Sequence, residues 1–369
     1  MTRLGVDTAL VAGELVPGDV EVDDGRVVAV GVGGGDGSGR IAVSGFVDLQ
    51  VNGFAGVDFA TASPSDVGEV TRALVRTGVT GFLPTLITGA LDHTIAQANA
   101  ITGAPADEWG AQVGGVHLEG PAINPARAGA HCRDHVVSAG AGLARRLLEE
   151  VADLRLVTMA PELDGAIDMI RVLRDGGVAV SFGHTEATEA EAEAGFEAGG
   201  VAVTHIFNAM AQMGHRDPGI AAAALMRGDV HVGVIADGLH VAPTMVKMVA
   251  ALAGPRLVLV TDACAGAACA DGDYTLGAEV VNVRAGVARR PDGVLAGSTL
   301  TMPDAIGNLI DLGIGFADAV GAATSATWAL LGQPERGSLG PGAVADVVVT
   351  DDDLVIHQTL IAGRKVYER

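Results

Sequence analysis

The chain has 369 residues, enough to bury roughly 75% of its unfolded surface in one large domain with a small satellite. Hydrophobic residues make up 49%, so the chain is globular rather than disordered. A formal net charge of −22 argues against nucleic acid or an anionic membrane surface as partner.

In chain order, the first forty residues read as short strands. Ala9–Ala12, Asp19–Val22 and Arg26–Val30 are separated by the turn signals Pro17-Gly18 and Asp24-Gly25. Gly31–Gly39 is glycine-rich, but no Gly-Lys and no helix follows it, so it reads as a flexible loop. From residue 44 the texture changes to alternating strands and helices. Strands are expected at Gly45–Gln50, Val79–Pro84, Val113–Leu118, Leu154–Met159, Val178–Phe182, Val201–His205, Val230–Ile235 and Leu257–Thr261. Helices are expected between them, among others at Ser65–Thr77, Leu163–Arg174, Ala187–Ala198 and Pro243–Leu252. Several of these strands are nearly all apolar, as parallel strands buried on both faces are, and eight of them close a (β/α)8 barrel. After Gly337-Ser-Leu-Gly-Pro341-Gly342 the short-strand texture returns in Asp346–Thr350 and Lys365–Tyr367. The expected organisation is therefore α/β, a TIM-type barrel over 44–342, with a small β-sandwich built from 1–43 and 343–369.

No uncharged apolar run reaches the roughly 18 residues of a membrane span. The N-terminus shows no secretory signal pattern, and a cytoplasmic enzyme is expected. Cys132, Cys264 and Cys269 are too few for a disulfide framework and read as reduced thiols, with Cys264 two residues beyond Asp262. Lys247 and Lys365 sit in no Gly-x-x-x-x-Gly-Lys loop, which excludes a P-loop.

Four ionisable residues stand at or just past the ends of these strands: Glu119, His184, His205 and Asp262. The C-terminal rim is where such a barrel carries its chemistry. One carboxylate and two imidazoles suit a divalent metal, so Glu119, His184 and His205 are the candidate ligands, leaving one position open for water. A bound metal lowers the pKa of that water from about 16 to about 7. Asp262 is then the candidate general base. Zinc suits this donor set; iron(II), manganese and cobalt also accept it. Arg216 and His240 follow the sixth and seventh strands and form a candidate positive patch for an anionic substrate, the alternative being surface salt bridging.

Several segments extend this constellation. They are Gly45-Phe-Val-Asp-Leu-Gln50-Val-Asn52-Gly53, His117-Leu-Glu119-Gly-Pro121, Ala160-Pro-Glu162, Gly183-His184-Thr185, Thr204-His205-Ile-Phe-Asn208-Ala-Met210, His215-Arg216-Asp-Pro-Gly219, Ile235-Ala-Asp237-Gly-Leu-His240, Thr261-Asp262-Ala263 and Leu295-Ala-Gly297-Ser-Thr-Leu-Thr-Met302. Together they resemble the N-acetylglucosamine-6-phosphate deacetylase branch of the amidohydrolase superfamily. Most of that superfamily carries His-x-His after the first strand, where this chain has Gln50-x-Asn52, which puts a second metal in doubt.

The resemblance implies hydrolysis of the acetamide of N-acetyl-D-glucosamine 6-phosphate, with one divalent metal per subunit, in a homodimer. It implies that His131 polarises the acetyl carbonyl and that Asp262 moves the proton. Around the sugar phosphate it places Ala130, His131, Asn208, Ala209, Arg216, Asp237, Gly238, Leu239, His240, Leu295, Ala296 and Gly297, with a phosphate contact open to the neighbouring subunit. The alternatives are a deacetylase for the galactosamine epimer, a cyclic-amide hydrolase, and a barrel that binds without turnover.

Overall fold

The computed structural model describes residues 1–35 and 37–369; Asp36, within the glycine-rich stretch, lies outside the described residues. Eight parallel strands run around a barrel: β1 (Phe46–Val51), β2 (Val79–Ile87), β3 (Val116–Glu119), β4 (Leu154–Met159), β5 (Ala179–Phe182), β6 (Ala202–Val203), β7 (His231–Val234) and β8 (Leu257–Leu259). Each pairs with the next in sequence order. Strand β6 is shorter than Val201–His205 because the backbone leaves the extended region at His205, where φ is 27°. The Thr204 amide still donates to Phe182 O at 2.9 Å, so the wall continues past the ladder.

Between β1 and β8 the ring closes without a regular ladder. One parallel bridge joins Val51 to Ala263, and the Asn52 amide donates to Ala263 O at 2.8 Å. Side chains do the rest. The Thr261 hydroxyl donates to Asp48 Oδ2 at 2.5 Å, while Asp48 Oδ1 accepts from the amides of Gln50 at 3.2 Å and Thr261 at 3.3 Å. Burial pushes the Asp48 carboxyl up to about 7, against the pull of the Thr261 hydroxyl.

Beneath the mouth, the barrel interior holds a polar chain among the apolar strands. His117 bridges the hydroxyls of Thr85 (3.1 Å) and Thr158 (2.8 Å), Thr158 meets Thr204 at 2.7 Å, and Ser181 meets Thr204 at 2.6 Å. Burial pushes His117 down to about 4, so the ring is neutral and its two nitrogens are matched by hydroxyls that serve as donor or acceptor.

Helices pack outside the strands, and their starts are set locally. The helix Glu189–Ala198 opens on a capping box in which Thr188 and Glu191 satisfy each other's backbone amides. That cap fixes the chain four residues after His184.

The termini form two facing sheets. One contains Ile41–Ser44, Thr8–Val11, Glu14–Pro17 and the C-terminal strands Val347–Thr350, Gln358–Ile361 and Arg364–Glu368. The other contains Thr2–Arg3, Asp19–Asp23 and Arg26–Val32. Val20, Val22 and Val27 of the second pack with Ala9, Ala42, Val347 and Val349 of the first, giving the sandwich its own apolar core.

Two further sheets were not anticipated, a short hairpin of Gly53–Phe54 with Val57–Asp58 and a three-stranded sheet. Gly272–Leu276, Glu279–Arg284 and Val287–Arg289 form an antiparallel meander inserted after β8. Its second turn places Ala285 and Gly286 at φ 50° and 72°, and the Asp271 carboxylate accepts both amides, at 2.6 and 3.2 Å.

Candidate active site

A cleft of about 530 Å³ opens at the C-terminal rim of the barrel. Glu119, His131, His184, His205, His240 and Asp262 all line it. Glu119 ends β3, and the other three strand-end residues stand just beyond β5, β6 and β8. At those three the backbone is left-handed: φ is 51° at His184, 27° at His205 and 50° at Asp262. Such conformations are strained for residues with a side chain and persist where the surroundings hold them.

The Glu119 carboxylate is the hub. Its Oε1 lies 3.1 Å from His184 Nε2, 3.0 Å from His205 Nε2 and 3.1 Å from Gln50 Nε2, and its Oε2 is 3.6 Å from His131 Nε2. Burial works to raise the Glu119 pKa, but the three imidazoles outweigh it and hold the carboxyl well below its usual range.

Tautomers decide which rings suit a metal. The Nδ1 of His184 is 2.8 Å from Arg127 O, which can only accept, so Nδ1 carries the proton. A neutral His184 therefore turns the lone pair of Nε2 toward the Glu119 oxygen. Two lone pairs at that spacing call for a cation between them, and the hydrogen bond at the remote nitrogen is the usual support of a metal-bound histidine. His131 is the opposite case. The Thr88 amide donates to its Nδ1 at 3.1 Å, so a neutral ring carries its proton on Nε2 and faces the cleft as a donor. Burial pushes His131 down to about 4, which keeps it neutral. The ligand atoms of Glu119, His131 and His184 lie within 4.8 Å of one another. Proximity alone would thus make His131 a ligand, whereas its hydrogen bonding makes it a donor. Among the described residues the buried Nδ1 of His205 has no partner, leaving its tautomer free for the Nε2 that faces Glu119. By their hydrogen bonding, Glu119, His184 and His205 are the residues that could hold a divalent cation.

The Asp262 carboxyl is pushed up to about 6 by burial and then by the nearby Glu119 charge. Asn52 Nδ2 donates to its Oδ1. The amides of Gln50 and Asn52 are thus bonded to Glu119 and Asp262.

Among the expected sugar-phosphate contacts, Ala130, His131, Asn208, Ala209, His240, Leu295, Ala296 and Gly297 line the cleft. Asp237, Gly238 and Leu239 are not on its wall. Asp237 instead accepts the amides of Leu239 and His240, both at 2.8 Å, and binds His240 Nδ1 at 2.7 Å, which fixes the His240 ring. Arg216 lies in an exposed loop and is not among the residues that line the cleft.

Glu162, quoted above only within a motif, ties three loops together. It accepts from Asn124 Nδ2 at 2.9 Å, the Thr185 hydroxyl at 2.5 Å and the Glu186 amide at 2.7 Å. Thr88, Arg127 and Arg289 carried no motif and were missed. Alternation of apolar and polar residues through 272–289, with Gly277 and Ala285-Gly286 as turns, was the available signal for the hairpin that brings Arg289 to the rim.

The chain matches the Amidohydrolase family over residues 41–366. It is 38% identical over 355 residues to an N-acetylglucosamine-6-phosphate deacetylase from Bos taurus, covering 90% of this chain and 85% of that protein. It is 36% identical over 330 residues to an N-acetylgalactosamine-6-phosphate deacetylase from Escherichia coli O157:H7, covering 86% of each. Among solved structures, an N-acetyl-D-glucosamine-6-phosphate deacetylase variant from Mycobacterium smegmatis in complex with N-acetyl-D-glucosamine-6-phosphate superposes with a TM-score of 0.91 at 34% identity, over 99% of both chains.

Proposed function

The chain belongs to the amidohydrolase family, and from that we propose that it removes the acetyl group of N-acetyl-D-glucosamine 6-phosphate, giving glucosamine 6-phosphate and acetate. The observation that carries this reading is the convergence of three imidazoles on the Glu119 carboxylate, in one cleft with Asp262.

Glu119, His184 and His205 would hold one divalent ion, zinc by the chemistry of the donors. Such an ion supplies a water deprotonated near neutral pH and a Lewis acid for the acetyl oxygen. His131, with its proton on Nε2, donates to that oxygen as charge builds on it. Asp262 takes the proton of the attacking water and returns it to the nitrogen as the amine departs. Its pKa near 6 suits both directions of transfer, because a group poised close to working pH accepts and donates at similar cost. His240, oriented by Asp237, and Asn208 line the part of the cleft where the sugar would bind.

The galactosamine epimer is the second reading, favoured by the relative from Escherichia coli O157:H7. Acetate release from the two 6-phosphorylated hexosamines, with metal content measured on the same sample, tests both. No release from either would leave a barrel that binds without turnover.

A further inference from the structure

Within one chain, the cleft has few places to hold an anion. Among the described residues, three cationic or ionisable donors other than the histidines around Glu119 line it: Arg127, His240 and Arg289. Arg127 is spent elsewhere. Its side chain pairs with Glu186, and its carbonyl supports His184. His240 is bonded to Asp237. Arg289 differs. It stands at the end of the inserted meander, bridged to Leu295 on the strip 295–297 that forms one wall of the cleft. Its Nη1 donates to Gly293 O at 2.8 Å, and among the described residues it has no carboxylate partner. That is notable in a chain with 45 Asp and Glu against 23 Lys and Arg.

The adjacent arginine is the internal control. Arg290 reaches Asp292 at 3.2 Å and Glu279 at 3.5 Å, and its Nη1 donates to Gly129 O at 2.7 Å. It therefore pins the meander to the loop that carries His131. One arginine of the pair fastens the wall; the other is an exposed residue of the cleft lining whose guanidinium bonds Gly293 O and, among the described residues, no carboxylate. A guanidinium offers a planar fork of N–H groups matched to phosphate oxygens, and stays charged at any working pH.

We propose that Arg289 is a specificity-determining residue that binds the substrate's phosphate in the cleft of its own chain, an inference that rests on the sugar phosphate reading above. The insert after β8 then has a function: it carries a fixed positive charge to the rim of an otherwise acidic protein.

Arg289→Ala and Arg289→Lys are compared with the unaltered enzyme, metal-loaded, on N-acetyl-D-glucosamine 6-phosphate and on the sugar without phosphate. Arg289→Ala should lower kcat/KM on the phosphorylated sugar by about 10- to 100-fold, mostly through KM, and change the plain sugar less than about twofold. Arg289→Lys should keep part of the preference, because the charge survives and the fork does not. Binding of inorganic phosphate, titrated calorimetrically, should weaken by about tenfold or more in Arg289→Ala. An unchanged ratio between the two sugars, an equal loss on both, or unchanged phosphate affinity would each overturn the proposal. If the unaltered enzyme turns over neither sugar, the functional reading fails. The phosphate titration still decides the role of Arg289.

Discussion

Asn52 donates to Asp262 Oδ1 at 2.7 Å, from a position 210 residues earlier in the chain. The side chain at the end of the first strand thus sets the orientation of the carboxylate at the end of the last. It also opposes the burial and the Glu119 charge that raise the Asp262 pKa. Several outcomes are expected from this arrangement and its neighbours.

Asp262→Asn should retain the metal and bind substrate but lose turnover. The amide keeps the shape and cannot accept a proton. General acid–base groups contribute about 10² to 10⁴ in rate, and kcat should fall by at least that range's lower end. Steady-state kinetics beside a metal assay checks this; a drop smaller than about tenfold would assign the proton transfer elsewhere.

The acid limb of kcat/KM should follow Asp262. The carboxylate must be ionised to take a proton, so activity falls as pH drops through about 6. Asn52→Ala removes a hydrogen bond that favours the charged form, so the same limb should move to higher pH. A pH–rate profile of both proteins reads the shift, and a limb that stays in place would separate Asn52 from the titrating group.

Glu119→Gln should cost most of the bound metal and nearly all activity, since Glu119 is the only carboxylate of the proposed ligand set. Metal analysis after dialysis is the measurement. Full stoichiometry with full turnover would take Glu119 out of the ligand set.

Asp48→Asn should change how stability depends on pH. The folded-state pKa of Asp48, about 7, is above the usual 3.8, so the folded protein holds this proton more tightly than the unfolded chain. Its contribution to stability is greatest below pH 3.8 and is lost as pH rises through about 7. The melting midpoint of the unaltered protein, relative to Asp48→Asn, should therefore decline across that window. A constant difference would mean that Asp48 is buried as an anion at all these pH values.

Arg216→Ala tests the expected phosphate contact. If a homodimer brings Arg216 to the partner's cleft, the phosphorylated sugar should lose about 10- to 150-fold in kcat/KM and the plain sugar almost nothing. Sedimentation on the same sample reports the assembly. Equal losses on both sugars would make the residue structural.

The strand ends were legible because a buried parallel strand is an apolar run, and the polar residue that terminates it stands out. Glu119, His184, His205 and Asp262 were all found in this way. What the runs do not encode is the twist of the backbone beyond them. The left-handed turns at His184, His205 and Asp262 are fixed by the loops that hold them, including the Glu162 bonds to Thr185 and Glu186. Nor does periodicity tell which strand residues face inward in a staggered barrel, so the chain of His117, Thr85, Thr158, Thr204 and Ser181 was invisible. Arg216 and Arg289 make the same point for the rim. Motif position favoured Arg216, whereas an unrecognised meander brings Arg289 to the cleft.

The closure between β1 and β8 gives the chain an order of readiness. Glu119, His184 and His205 come from strands within 86 residues of one another, so the central segment holds the whole proposed ligand set. Asp262 is held by Asp48, through Thr261, and by Asn52, both from the far end of the sequence. Contacts across so long a loop form at greater entropic cost than local ones. Undocking the last strand would therefore release Asp262 while leaving Glu119, which Gln50 of β1 also braces, beside His184 and His205. Metal content would then read the proposed ligand set, and turnover the meeting of the two ends.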